Sequence, residues 1–339
     1  MPVLHEGAVI LNEDGACLVD LGRGVAGLLF RSAGGCAGPG IAEAVRRSVR
    51  EVERDWRGLV LASEGPDFSA GWNFRLLLAE AENGDWDGID LLVREMQEAA
   101  LSLRRMTKPS VAALHGRVWG PGAAWSLAAD RMILDRETRF GFPEAKLGLI
   151  PAAGGCLAAA ELAALRAEPA GLPEPSLPLV ALYDAMAFGR TSENGGEVRR
   201  LGWTRPGDFL TAAKPHDRIQ EAVRSVLELE RDRERGTRCG EGREEGGSAY
   251  AAAAGRDASA ALKLRAAACR RAGRFSDHDA KAAGKLAEVL AGGDVRAGTP
   301  AGEAHWLELE REAFLSLLGE PLTQERIRYW LTDGAYLRN

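Results

Sequence analysis

The stretch GRVWGPGAAWSLAAD, residues 116–130, joins a Gly-Pro-Gly turn to a short helix of small apolar residues. The run before it, SVAALHG, is typical of a buried strand, so the unit predicts a strand, a turn and a helix in that order. Small residues in such a turn let a ligand approach the backbone before the helix begins. Taken alone, the same pattern also fits an ordinary tight turn.

A second unit of this kind lies upstream. The stretch GLVLASEGPDFSAGW, residues 58–72, predicts a buried strand ending in a Ser-Ala-Gly turn, ahead of the helix-forming NFRLLL. The turn presents backbone amides that can polarise a carbonyl oxygen. Short apolar runs within residues 8–30 predict further strands, and residues 40–56 predict an amphipathic helix. This alternation favours an α/β fold.

Composition limits the partners of the chain. Its 339 residues are 46% hydrophobic and 27% charged, which allows a sizeable core in a globular protein. The net charge of −6 argues against a nucleic-acid or anionic-membrane surface. Five scattered cysteines without C-x-x-C spacing predict neither a disulfide framework nor a metal site. We expect a cytoplasmic protein with a small-molecule partner and no signal peptide or membrane span.

The C-terminal part differs from the rest. From about Cys156 the chain becomes rich in Ala, Arg and Glu, and helix-period apolar spacing recurs to the end. Residues 168–179 and 238–248 predict loops, since they carry turn-forming or charged residues. The sequence therefore predicts a core at residues 1–200 and a helical region at residues 201–339.

Three motifs together resemble the enoyl-CoA hydratase/isomerase, or crotonase, family. They are Gly58–Gly71, Lys108–Asp130 and the Phe-Gly-x-Pro-Glu segment within Phe140–Gly155, and they occur in the family's order at similar spacing. The resemblance implies a crotonase-like spiral of ββα units with a helical C-terminal region. It also implies an acyl thioester carried by coenzyme A or a carrier protein, no permanently bound cofactor, and a homotrimer or hexamer.

Residues 277–339 resemble the end of the hydratase portion of fused 3-hydroxyacyl-CoA dehydrogenase/enoyl-CoA hydratase polypeptides. No G-x-G-x-x-G turn opens a strand-turn-helix unit in this sequence, so it predicts no nicotinamide-binding dehydrogenase portion.

The family holds the thioester oxygen with two backbone N–H groups while that oxygen becomes an enolate. Position by position, the first donor corresponds to Trp72 and the second to Pro121, which has no N–H. Either the oxyanion site is impaired, or a shifted register lets Gly120 or Gly122 donate.

A family hydratase uses two glutamates, because adding water requires two proton-transfer tasks. The first position is Ala124 here, and the second is Glu144. A single carboxyl favours the proton shuttle of the family's isomerases, with dehydration or decarboxylation ranked behind it. Apolar surroundings such as Phe142 are expected to raise the pKa of Glu144.

Other residues expected at the site are Ala70, Gly71, Trp119, Trp125 and Phe142. For the tryptophans, core packing and ligand stacking remain equal alternatives, and Trp125 would dry the site if it faced the ligand. His115 is expected to stabilise a turn, and Cys36 and Cys156 to be buried thiols and not nucleophiles.

The leading hypothesis is an enolate-forming enzyme with Glu144 as its single acid/base, in a specialised biosynthetic pathway. One alternative is a catalytically silent protein that binds a ligand or a partner subunit. Another is chemistry without coenzyme A on a bulky natural-product intermediate.

Overall fold

The computed structural model describes residues 8–167, 176–235 and 251–339. The predicted loop at 238–248, and most of the one at 168–179, lie outside these ranges.

The described residues form strands and helices in a regular order. The strands are β1 (Val9–Glu13), β2 (Ala16–Asp20), β3 (Val25–Phe30), β4 (Cys36–Ala37), β5 (Gly58–Ser63), β6 (Ser69–Trp72), β7 (Ser110–Leu114), β8 (Arg117–Trp119), β9 (Arg131–Asp135), β10 (Arg139–Gly141), β11 (Phe209–Thr211), β12 (Ala251–Ala252) and β13 (Pro300–Ala301). The helices are α1 (Pro39–Asp55), α2 (Phe74–Asn83), α3 (Trp86–Arg104), α4 (Pro121–Ala128), α5 (Gly155–Ala167), α6 (Leu177–Ala187), α7 (Gly195–Arg200), α8 (Pro215–Glu234), α9 (Gly255–Arg271), α10 (Asp277–Leu290), α11 (Glu303–Leu318) and α12 (Pro321–Asp333).

The described residues form three sheets. The large sheet has the order β1-β2-β3-β5-β7-β9-β11, the small sheet has the order β10-β8-β6-β4, and β12 and β13 form a two-stranded sheet. From β3 to β10, a strand of the large sheet is followed by a short strand of the small sheet and then by helix, as in β3-β4-α1 and β7-β8-α4. These units confirm the predicted crotonase-like ββα fold, since neighbouring units pair in parallel within both sheets.

The central strands are buried on both faces, which explains their continuous apolar runs. One face packs in the main core with α1 and α3. On the other face, Val60, Val111 and Ile133 of the sheet pack against Ile219 and Val223 of α8. The helix and the sheet therefore form one unit.

Residues on both sides of the predicted division at residue 200 contribute strands to the large sheet. Strand β11 pairs in parallel with β9, with Phe209 opposite Ile133, so the large sheet continues beyond that position. The segment of β11 is too short to show a clear period in the sequence. It forms a strand because it pairs with the edge of β9.

The predicted helical C-terminal region is confirmed in α9 to α12. A capping box between Ser276 and Asp279 begins α10. Helix α11 packs against α3 and α5, and α12 packs against α2 and the 3₁₀ turn Pro143–Leu147. The C-terminal helices consequently cover the ends of the short strands.

Candidate active site

The first two motifs meet at one pocket, and the residues predicted as a Ser-Ala-Gly turn form the short strand β6. Strands β6 and β8 are neighbours, with Ala70 opposite Trp119, so the segments that follow them lie together. The pocket has an empty volume of about 320 Å³ that includes its open mouth. It is lined by Ala70, Gly71, Trp72, Phe74, Trp119, Gly120, Pro143, Glu144, Leu147, Trp330 and Tyr336.

The Trp72 backbone amide lies on the side of β6 where pairing has ended. The amide of Asn73 donates to the carbonyl of Ala37 on β4 at 3.1 Å. Because successive peptide groups in a strand point to opposite edges, the Trp72 amide points away from β4. On that side the last residue pair with β8 is Ala70 and Trp119. This orientation suits a donor to a bound oxygen.

Pro121 is the first residue of α4, where its missing N–H costs the helix nothing. Neither predicted replacement donor is free in the pocket. The Gly120 amide donates to the carbonyl of Gly141 at 3.4 Å. Gly122 packs against Ser69, whose Cβ would lie 2.2 Å from a Cβ added at 122, and is not among the lining residues.

Glu144 is the buried acid of the pocket. The residue is 2% exposed, and neither carboxyl oxygen has a hydrogen-bond partner among the described residues. Burial raises the pKa of Glu144 to about 8. The negative charge of Glu310 adds to it. A carboxyl in this range can both give and take a proton near neutral pH.

Several predicted site residues do not line the pocket. Those on α4 could not be assigned to a face from the sequence, because every residue of this helix is buried. For Trp125 the sequence left core packing and ligand stacking as equal alternatives, and the indole donates to the carbonyl of Met96 at 3.1 Å and packs near Phe30 in the core. Ala124 instead lines a second pocket, whose empty volume of about 240 Å³ includes its open mouth. The predicted site residues absent from the pocket lining are Pro121, Gly122, Ala124, Trp125 and Phe142.

Phe142 is buried in the core and does not line the pocket. Its ring packs against Trp203 at 5.2 Å between centroids and would be 2.6 Å from a Cβ added to Gly155. His115 contacts the carbonyl of Gly65 at 2.9 Å, as expected of a residue that stabilises a turn. The Cys156 thiol is buried, and burial raises its pKa, as expected of a thiol that is not a nucleophile.

Six residues near the pocket were not among those expected from the sequence. Three come from the C-terminal part, and the other three, Phe74, Pro143 and Leu147, line the pocket. Trp330 and Tyr336 line it, and the Tyr336 ring lies 4.8 Å from Nζ of Lys146. Glu310 is fully buried on α11, and burial raises its pKa to about 7. The sequence could have indicated Glu310, because this glutamate occupies a position within the apolar stripe of a predicted helix.

No three His, Cys, Asp or Glu side chains come together as a metal-ligand set within residues 8–167, 176–235 and 251–339. In the same ranges, no helix combines the length and apolarity needed to cross a membrane.

Residues 41–164 match the family model described as enoyl-CoA hydratase/isomerase. A "probable 3-hydroxyacyl-CoA dehydrogenase" of Bacillus subtilis is 32% identical over 331 residues, which are 98% of this chain and 40% of that protein. The chain thus spans less than half the length of that relative.

Solved structures share the fold at low sequence identity. A carnitinyl-CoA dehydratase from Mycobacterium thermoresistibile superposes with a TM-score of 0.64 at 20% identity, covering 94% of this chain and 90% of the other. An enoyl-CoA hydratase from Bacillus halodurans gives 0.60 at 16% identity, covering 93% and 99%.

Proposed function

Because the chain belongs to the enoyl-CoA hydratase/isomerase superfamily, we propose that its pocket binds an acyl thioester and that Glu144 moves protons on it through an enolate. The observation that carries this proposal is the buried Glu144 carboxyl, with no hydrogen-bond partner among the described residues, beside the ends of β6 and β8. An acid held there without a structural partner is suited to act on a ligand.

Double-bond isomerisation is the reaction that one carboxyl can complete. The Glu144 carboxylate removes a proton from C2 of a 3-enoyl thioester, and the electron pair spreads onto the thioester oxygen as a dienolate. The same carboxyl then returns the proton to C4, which leaves the double bond between C2 and C3. No water, oxidant or second acid is consumed, so the missing carboxylate at Ala124 does not interrupt the reaction.

The developing negative charge would be held by the Trp72 amide, with no backbone donor from Pro121. Losing one preorganised donor costs about 3–4 kcal/mol of transition-state stabilisation. We therefore expect slow turnover unless the substrate brings its own stabilisation, for example through a conjugated acyl group. That expectation favours a specialised biosynthetic role, with assembly as a homotrimer or hexamer in the cytoplasm as further proposals.

A second candidate is a catalytically silent protein that binds a ligand or a partner subunit. It is favoured by the combination of Pro121 and Ala124, which removes one donor and one acid from the family's pattern. A third is proton transfer on a bulky substrate that carries no coenzyme A.

The test combines calorimetry with an absorbance assay for conjugated 2-enoyl thioesters. The protein, its Glu144→Gln variant and the exposed control Glu137→Gln are compared on 3-enoyl-CoA substrates and on free coenzyme A. The enzyme proposal expects micromolar binding by all three proteins and turnover lost only in Glu144→Gln. Binding without turnover in any protein would support the silent alternative, and absence of binding would reject a coenzyme A thioester as ligand.

A further inference from the structure

The Trp72 indole and the Glu144 carboxyl converge on Gly120. A Cβ added to Gly120 would lie 2.9 Å from Oε1 of Glu144 and 3.4 Å from Cδ1 of Trp72. Since Cδ1 is bonded to Nε1, the N–H edge of the indole and the carboxyl oxygen are close to the same point. The ring itself is held in place by stacking on Phe314, with 5.1 Å between centroids.

Both groups are buried and have no hydrogen-bond partner in the described part of the chain. This applies to Nε1 of Trp72 and to both oxygens of Glu144. Buried polar atoms are seldom left without a hydrogen bond. We therefore expect these atoms to form one when the protonation state of Glu144 changes. An indole N–H can only donate, and an ionised carboxylate can only accept. The two groups are therefore complementary once Glu144 is charged.

We propose that Trp72 is a positioning residue for Glu144, whose indole N–H donates a hydrogen bond to the carboxylate once Glu144 has released its proton. The residue then has two separate roles, because its backbone amide faces the proposed oxyanion while its side chain holds the base. The effect on turnover rests on the proposed function, but the hydrogen bond itself does not.

Other titratable groups near the Glu144 carboxyl also influence its titration, and their influence must be distinguished from that of the Trp72 hydrogen bond. They are Glu310 on α11, Cys156 on α5, Tyr336 after α12, Lys146 in the same 3₁₀ turn and His278 of α10, which lies near Gly148 at the end of that turn. Of these, the charge of Glu310 raises the pKa of Glu144 directly. A variant at Glu310 therefore moves the titration without removing the indole donor.

The direct test is a pH titration of the labelled indole nitrogens by NMR, with the Trp72 signal assigned from Trp72→Phe. We expect the Trp72 N–H signal to shift downfield with a midpoint near the pKa of Glu144, about 8. The shift should be absent in Glu144→Gln. Trp203 is the matched control, since its Nε1 is also buried and unpaired among the described residues, and its signal should not follow this transition. A Trp72 signal that stays constant between about pH 6 and 10, or that still shifts in Glu144→Gln, would overturn the proposal.

The kinetic test uses Trp72→Phe, which keeps an aromatic ring and removes the donor. We expect the pH at half-maximal kcat/KM to rise by about one unit, because the carboxylate loses a hydrogen bond. KM for the thioester should change little, while Trp203→Phe leaves the pH profile in place. If the parent protein shows no turnover, the proposed function fails, yet the NMR titration still decides the hydrogen bond. The titration of the parent and Glu144→Gln also decides it if Trp72→Phe does not fold.

Discussion

Glu310 and Gly154 are hydrogen-bonded across 156 residues of sequence: the Gly154 amide donates to Oε2 of Glu310 at 2.8 Å. The Leu157 amide donates to the other carboxyl oxygen, also at 2.8 Å. The carboxylate therefore caps the start of α5 from helix α11. This contact ties the C-terminal helices to the segment that follows Glu144.

Glu310→Gln should destabilise the fold by about 2 kcal/mol, because one amide loses its charged acceptor and faces an NH₂ group. It should also lower the pKa of Glu144, since the charge of Glu310 raises it. Denaturant unfolding and the pH profile measure the two effects. The control is Glu312→Gln, an exposed position on the same helix. Equal stabilities of the two variants would contradict the capping role.

Gly120→Ala should disrupt the pocket. Gly120 has a φ of +57°, and an added Cβ would lie 3.2 Å from Cα of Gly71 as well as 2.9 Å from Oε1 of Glu144. We expect a loss of about 2–4 kcal/mol in the free energy of unfolding and weaker ligand binding. Gly34→Ala is the control, because Gly34 has a φ of +68° and open space around it. If both variants lose the same stability, crowding at Gly120 has no effect.

Glu144→Gln should become relatively more stable as the pH rises. The folded pKa of about 8 lies above the ordinary value of 4.5, so the folded state keeps its proton longer than the unfolded state. The stability that Glu144 contributes is therefore present at low pH and falls between about pH 4.5 and 8, by up to about 1.4 kcal/mol per pH unit. Unfolding curves at several pH values, compared with Glu137→Gln, measure this. A constant difference between parent and Glu144→Gln would contradict the raised pKa.

The pH dependence of kcat/KM for isomerisation should follow the free-enzyme pKa of Glu144. Because the carboxylate form removes the proton, activity should rise as the pH increases through about 8. Initial rates on a 3-enoyl thioester give the profile. A transition near the ordinary glutamate value, or no transition, would exclude Glu144 as the base.

Trp125→Phe should affect stability and not binding. The variant leaves the Met96 carbonyl without the indole donor that now lies 3.1 Å away, at a cost of about 1–3 kcal/mol. Ligand affinity should match that of the parent, because Trp125 is not among the pocket residues. Thermal unfolding measures the stability and calorimetry measures the ligand affinity. Weaker affinity at unchanged stability would show that Trp125 contacts the ligand.

Much of the pocket was predictable from the three motifs and their resemblance to the family. Ala70, Gly71, Trp72, Gly120 and Glu144 lie in these motifs, and the structure brings them together. The sequence could not indicate a direction within α4, because all eight of its residues are buried and it has no polar face.

The sequence by itself predicted the alternation of strands and helices and the helical C-terminal region, because strands and helices leave distinct periods within one segment. The resemblance of the three motifs to the crotonase family implied the ββα order and the single glutamate of the third motif. Only the tertiary structure decided that Trp330 and Tyr336 line the pocket, that the charge of Glu310 acts on Glu144, and that the Trp72 indole lies near Glu144. Such contacts join residues far apart in the chain. They depend on how the side chains pack in three dimensions, which local sequence periodicity does not show.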